Sequence, residues 1–324
     1  MVFDVEFAPM HVYSQSIIPS RVALPPEGAF STVLEFLAFR FPRIPEVVWR
    51  ERIEQQKVRF ADGLPVQLDT PFQANRHVDY YREVINERPI PFQEQVLFEN
   101  EHIVIADKPH FLPVHPAGDY VNETLITRLR TRYGYPELCN AHRIDRLTAG
   151  LVLCVKTREH RGLYQEMFRD GSVKKTYLAV GKLPSEIHRT HWHIQTRMES
   201  TDDTFRMKIT SGTPVNSESF IKLIARHQEL GLFHLQPITG KKHQLRVHLA
   251  SIGSAILNDP FYSDYSDLES GDDFQRPMQL LAQRMEFIDP LSKVPMTFTS
   301  QLDRDLLALF PHCSLNPTHQ EACS

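Results

Sequence analysis

The stretch His142-Arg143-Ile144-Asp145-Arg146-Leu147-Thr148-Ala149-Gly150 sets one carboxylate between two arginines and ends on small residues that open an apolar run, Leu151 to Val155. Positive charge on either side of a carboxyl group favours its ionised form. A short apolar run bounded by glycine reads as a buried strand. The segment therefore predicts a strand entered from a loop that holds Asp145. Such an Asp can equally be half of an ordinary surface salt bridge, because structural ion pairs outnumber catalytic ones. The surrounding sequence has to decide between these readings.

Beyond that strand, Thr157 to Asp170 reads as a helix stopped by Gly171. Val173 to Val180, Val215 to Ile224 and Leu232 to Ile238 read as strands, and His243 to Ile252 as a helix ended by Gly253. Before it, Val96 to Pro109 reads as two short strands around an Asn-containing turn, and Asn122 to Tyr133 as a helix with Leu125 and Leu129 at i,i+4. Helices and strands mix without a regular βαβ repeat. That predicts an α+β fold, a mixed, mainly antiparallel sheet with flanking helices.

Residues 1–90 read as a small separate α/β unit, closed by a linker around Pro89 and Pro91. A helix with a Ser31 or Thr32 cap carries Val33, Leu34 and Leu37 on one face. Val47 to Ile53 reads as a second helix, and Lys57 to Gly63 alternates into an Asp-Gly hairpin signal. Arg40 to Arg59 holds six basic residues against three acids. Over about residues 28–75 this pattern resembles the αL RNA-binding motif, the alternative being a plain helical cap. A larger domain is expected at residues 91–311, with a loosely ordered tail at 312–324.

At 324 residues, 41% hydrophobic and 23% charged, the chain has the composition of a globular protein with a proper core. No apolar run approaches the ~20 residues that span a bilayer, so no membrane partner is expected. The acidic start Met1-Val2-Phe3-Asp4-Val5-Glu6 lacks a basic n-region, and four scattered cysteines form no CxxC pair. Both features suggest the cytoplasm. The net charge of -4 hides an asymmetry: residues 126–182 carry twelve Lys/Arg against five Asp/Glu, and residues 259–289 eight acids against two arginines. A basic zone beside Asp145 suits an anionic substrate such as a phosphodiester chain, or is simply a solvated face.

Four blocks then carry a resemblance. The nonapeptide closely resembles the His-Arg-Leu-Asp-Arg-x-Thr-Ser-Gly signature of the RluA-type pseudouridine synthases. Lys108-Pro109-His110-Phe111-Leu112-Pro113-Val114-His115-Pro116 resembles their Lys-Pro-x-Gly-x-x-x-His-Pro loop, with Phe111 in place of glycine. Lys174-Lys175-Thr176-Tyr177 resembles their Lys-x-Tyr strand, and Thr239 to Leu249 their Thr-Gly-Arg-x-His-Gln-Ile-Arg-x-His segment. Asn258 to Tyr262 and Leu280 to Arg284 also fit, so the resemblance covers roughly residues 96–300. It implies the pseudouridine synthase fold and the isomerisation of a specific uridine in structured ribosomal or transfer RNA. No cofactor is implied, since nothing is oxidised and nothing leaves, and no obligatory protein partner.

The resemblance assigns Asp145 as the essential carboxylate, Arg246 as its partner and Tyr177 as packing for the uracil and candidate general base. Whether Asp145 attacks ribose, attacks the base or assists an elimination stays open. The target base must leave the stack, and Arg143 is the candidate to brace the gap. Arg146, Lys174, Lys175 and Lys241 are candidate phosphate contacts. A helix from His243 would set Lys242 and Arg246 together at i,i+4, with Arg246 free to grip Asp145 in a bidentate pair. An inactive RNA-binding factor on the same scaffold is the alternative. A hydrolase fits less well, because a second carboxylate near the motif is lacking. His188, His191 and His193 lack a nearby Cys or carboxylate at ligand spacing, and His312, Cys313, His319 and Cys323 are the right ligand types at irregular spacing, so no metal is expected.

Overall fold

A computed structural model describes residues 13–28, 30–184, 188–202, 205–263 and 272–311. The tail read at 312–324, with its His and Cys residues, lies outside the described residues. The chain forms two compact units. One runs to Pro89 and includes Pro116–Thr127, and the other comprises Ile90–His115 and the chain from Arg128 onward.

The first unit contains β1 (Tyr13–Gln15), β2 (Ser20–Ala23), α1 (Val33–Arg40), α2 (Glu46–Glu54), β3 (Val58–Phe60), β4 (His77–Tyr80) and β5 (Glu83–Ile85). Thr32 caps α1: its hydroxyl accepts the Glu35 N–H at 3.1 Å, while the Glu35 carboxylate accepts the Ser31 N–H at 2.7 Å. Val33, Leu37, Trp49, Ile53, Val58 and Val78 form its core. The expected Asp62-Gly63 hairpin is only a tight turn with an isolated Arg59–Pro65 bridge. The ladder partner of β3 is instead β4, in the antiparallel order β2-β4-β3.

The second unit follows with β6 (Gln95–Glu99), β7 (Ile103–Lys108), α3 (Leu125–Tyr133, whose residues up to Thr127 belong to the first unit), β8 (Cys139–Asn140), β9 (Ala149–Val155), α4 (Arg161–Arg169), β10 (Lys174–Lys182), β11 (His191–Ser200), β12 (Met207–Thr210), β13 (Ser217–His227), β14 (Leu230–Pro237), α5 (Gln244–Ser251), β15 (Leu280–Ile288), β16 (Pro295–Thr299) and α6 (Arg304–Ala308). One sheet takes the order β12-β11-β13-β14-β10-β15-β9-β7-β6, with β16 on β15 and β8 on β9. Its pairs are antiparallel except β15 with β9. This is the mixed, mainly antiparallel α+β architecture. His191 and His193 lie on β11, and among the described residues no three His, Cys, Asp or Glu side chains group as metal ligands. No described helix is long and apolar enough to cross a membrane.

The expected Leu151–Val155 strand begins two residues earlier, and every residue of β9 is buried. Burial on both faces explains its unbroken apolar run. Gly150 decides the parallel pairing. It lies opposite Ala282 at φ +113°, and a Cβ there would stand 2.3 Å from the Ala282 carbonyl oxygen. Both the backbone conformation and the space exclude a side chain. Gly150→Ala is expected to destabilise the protein by at least about 2 kcal/mol. Urea unfolding, monitored by far-UV circular dichroism, checks it.

Candidate active site

Register brings Asp145 and Tyr177 to one place. Ala282 of β15 lies opposite Gly150 of β9 on one side and Tyr177 of β10 on the other. The start of β9, which the Asp145 loop enters, therefore lies level with Tyr177, one strand away. Leu147 from that loop and Tyr177 pack against the same cluster of Leu235, Leu245, Leu249 and Leu280.

The Asp145 loop is pinned at each residue. The Thr148 N–H donates to the Asp145 carbonyl at 3.1 Å. The wholly buried Lys108 ammonium donates to the carbonyls of Pro109 (2.9 Å) and Arg146 (3.1 Å). Burial pushes its pKa well below the usual lysine value, and the Asp145 charge works the other way. His110 Nδ1 lies 2.7 Å from the Leu147 carbonyl oxygen. The Lys-Pro loop thus acts as a clamp. Phe111, which replaces its glycine, takes the left-handed conformation at φ +66° and is buried against Phe92 and Phe274. Packing outweighs the backbone strain there.

Arg246 is buried, 2% exposed, and differs from the expected geometry in two ways. Its bidentate partner is Asp259, with Nε to Oδ2 and Nη2 to Oδ1 both 2.7 Å. Asp145 receives one contact, Nη1 to Oδ2 at 3.2 Å. Moreover, α5 starts at Gln244, behind His243 in the left-handed region at φ 55°. Lys242 therefore stands outside the helix and is not an i,i+4 neighbour of Arg246 within it. Burial opposes the guanidinium charge, but the hydrogen bonds and charge of Asp259, with Asp145, outweigh it and raise the Arg246 pKa. Asp259, wholly buried, also accepts the N–H groups of Phe261 (2.9 Å) and Tyr262 (3.3 Å). The result is a fixed cation beside a carboxylate that keeps 29% of its side-chain surface open.

Sequence reasoning matched the segment holding Asp259 but gave that residue no role. His243 was missed as well, although its Nε2 lies 3.8 Å from Asp145 Oδ2. Tyr177 has its phenol pKa pushed up, first by burial and then by the Asp145 charge. The phenol therefore holds its proton at neutral pH.

The two charge blocks pair with each other. Arg146 grips Asp272 through two bonds of 2.6 and 2.7 Å, and Lys174 lies 3.5 Å from Glu286. Arg128 and Arg132 share the buried Glu94, and Lys156 pairs with Glu99. Much of the excess positive charge is thus neutralised internally. Among the described residues, exposed Arg143 has no hydrogen-bonded or ionic side-chain partner, and Lys241 is exposed at the entry to α5. Lys175 has its pKa lowered by burial.

His142, the first residue of the nonapeptide, accepts the Leu153 N–H at Nε2 (3.1 Å) and stacks on Phe168 with ring centroids 4.1 Å apart. Burial pulls its pKa from 6.5 to about 3. The folded-state pKa is depressed, so the unfolded chain takes up the proton first as pH falls. Stability is therefore expected to fall between pH 6.5 and about 3, by up to about 1.4 kcal/mol per pH unit from this residue. Urea midpoints across that window measure it. His142→Gln, which keeps an acceptor and does not titrate, should lessen the dependence, the remainder coming from His243 and His248, whose pKa values burial also lowers.

The description RNA pseudouridylate synthase belongs to the family profile that matches residues 102–251. An uncharacterized RNA pseudouridine synthase of Synechocystis sp. is 31% identical over 233 residues, covering 71% of this chain and 79% of that protein. The ribosomal large subunit pseudouridine synthase D of Zymomonas mobilis is 30% identical, covering 67% of this chain and 71% of that one. Among solved structures, human RNA pseudouridylate synthase domain containing 4 superposes with a TM-score of 0.52 at 24% identity, over 66% of this chain and 90% of that chain. That likeness speaks to the fold alone.

Proposed function

This chain belongs to the RNA pseudouridylate synthase family, an RNA-modifying isomerase family, and on that premise we propose that it converts a specific uridine in structured ribosomal or transfer RNA to pseudouridine, with Asp145 as the essential carboxylate. The observation that carries this reading is the half-open Asp145 carboxylate beside a guanidinium already clamped by Asp259. The reaction breaks the bond from ribose C1′ to uracil N1 and remakes it to C5 of the same base, with the C5 proton lost to solvent and one proton gained at N1. A carboxylate can attack the ribose or stabilise its cationic character while the base turns. Tyr177, protonated and packed at the same place, offers the uracil a flat apolar wall. The target base is flipped out of its stack, and exposed Arg143 braces the gap, because a guanidinium stacks and hydrogen-bonds at once. Lys241, Lys174, Lys175 and Arg146 contact phosphates, Arg146 and Lys174 by exchanging their carboxylate partners.

Residues 28–75 are proposed as an αL-type RNA-binding module. A polar cleft of 450 Å³ in that unit, lined by Gln55, Gln56, Lys57 and Arg59 among others, supports the assignment. The protein is proposed to act in the cytoplasm. Purified protein is expected to release tritium from RNA labelled at uridine C5, and no release from any cellular RNA would refute the reading. RNA affinity is expected to fall at least about tenfold between 50 and 200 mM salt, as filter binding would show.

A further inference from the structure

Arg246 touches Asp145 through a single hydrogen bond, which fixes the carboxylate's orientation less firmly than a bidentate pair would. A second group faces the same oxygen. His243 Nε2 lies 3.8 Å from Asp145 Oδ2, and the imidazole is 7% exposed. Its backbone sits in the left-handed region immediately before α5, a conformation uncommon for any residue but glycine. Its ring stacks on Phe261 at 5.9 Å and 24°. A residue held so awkwardly invites the question of what its side chain supplies.

The hydrogen bonds around the ring answer it. Tyr262 Oη accepts the Met207 N–H at 2.8 Å and lies 2.8 Å from His243 Nδ1. Burial raises the Tyr262 pKa, so the phenol keeps its proton, and that proton needs an acceptor. Nδ1 is the acceptor in reach. An accepting Nδ1 places the proton of a neutral imidazole on Nε2, facing Asp145. The charged groups around the ring are Asp145, Arg246, Lys242 and Asp259, and burial is the largest influence, lowering its pKa to about 4. At neutral pH the ring is therefore a neutral donor of fixed tautomer.

We propose that His243 is a positioning residue for Asp145, its Nε2–H set by Tyr262 and closing on Oδ2 to fix the carboxylate's orientation when RNA binds. The inference rests on Asp145 being the essential carboxylate. The 3.8 Å separation is longer than a hydrogen bond, and active-site bonds of this kind tighten in the substrate complex. A neutral donor orients the oxygen without adding a second positive charge beside Arg246.

Nitrogen-15 NMR of the full-length protein at neutral pH is expected to show His243 protonated at Nε2 and bare at Nδ1. Tyr262→Phe should give a mixed tautomer. His243→Ala and Tyr262→Phe should each lower kcat roughly tenfold, the worth of one hydrogen bond, with KM for RNA within about twofold. His243→Gln, whose amide N–H reaches the Nε2 position, should restore part of the loss. A proton found on Nδ1, or wild-type kcat in a folded His243→Ala, would overturn the proposal. An active Asp145→Asn would overturn the underlying reading instead, whatever the tautomer.

Discussion

Asp145→Asn is expected to fold like the wild type and to form pseudouridine at least about a thousandfold more slowly, below detection in ordinary assays. Asn is nearly isosteric, and its amide oxygen can still accept from Arg246 Nη1. The guanidinium keeps its tighter partner, because both bonds to Asp259 are 2.7 Å against 3.2 Å to Asp145. Stability should therefore change by less than about 1 kcal/mol. What disappears is the negative charge that the proposed function assigns to the chemistry, whether it acts on the ribose, on the base or in an elimination. Thermal melting and quantification of pseudouridine on one preparation separate the two effects. A variant that melts normally and modifies RNA at the wild-type rate would remove Asp145 from the chemistry.

Arg246→Met is expected to cost both fold and function. It strips the cation from a wholly buried carboxylate, and an uncompensated buried charge costs about 3–5 kcal/mol. The Asp145 carboxylate loses its guanidinium contact in the same step. The double variant Arg246→Met, Asp259→Asn tests the cause. The introduced amide is neutral and keeps an oxygen for the Phe261 and Tyr262 N–H groups. The double variant should regain most of the lost stability while staying inactive. If the single variant melts within about 1 kcal/mol of the wild type, the Asp259 clamp is not what holds Arg246 in place.

The sequence was most legible where one short segment carries its own instruction. The buried β9, the Asp145 loop and the capped α1 could all be read from local pattern. Gly150 could be read as a strand opening, but the reason only glycine fits came from Ala282, which lies 132 positions later (282 − 150) and pairs in parallel. The charge blocks looked like a free basic zone and a free acidic one, because pairs such as Arg146 with Asp272 require the fold. Regular helical periodicity suggested that α5 began at His243 with Lys242 beside Arg246. The left-handed turn at His243 breaks that phase and sends the imidazole toward Asp145. Histidine is among the residue types enriched at positive φ, but residue type alone did not place the turn at His243. The RNA and the uridine lie beyond pattern altogether, because shape recognition selects structured RNA targets.

Mapping pseudouridine across total RNA tests the central claim most directly. A strain lacking this protein is compared with its parent and with strains complemented by the wild type or by Asp145→Asn. The expected result is at least one uridine in ribosomal or transfer RNA that is pseudouridine in the parent, unmodified in the deletion, restored by the wild type and not by Asp145→Asn. Identical maps in parent and deletion, or restoration by Asp145→Asn, would contradict the account.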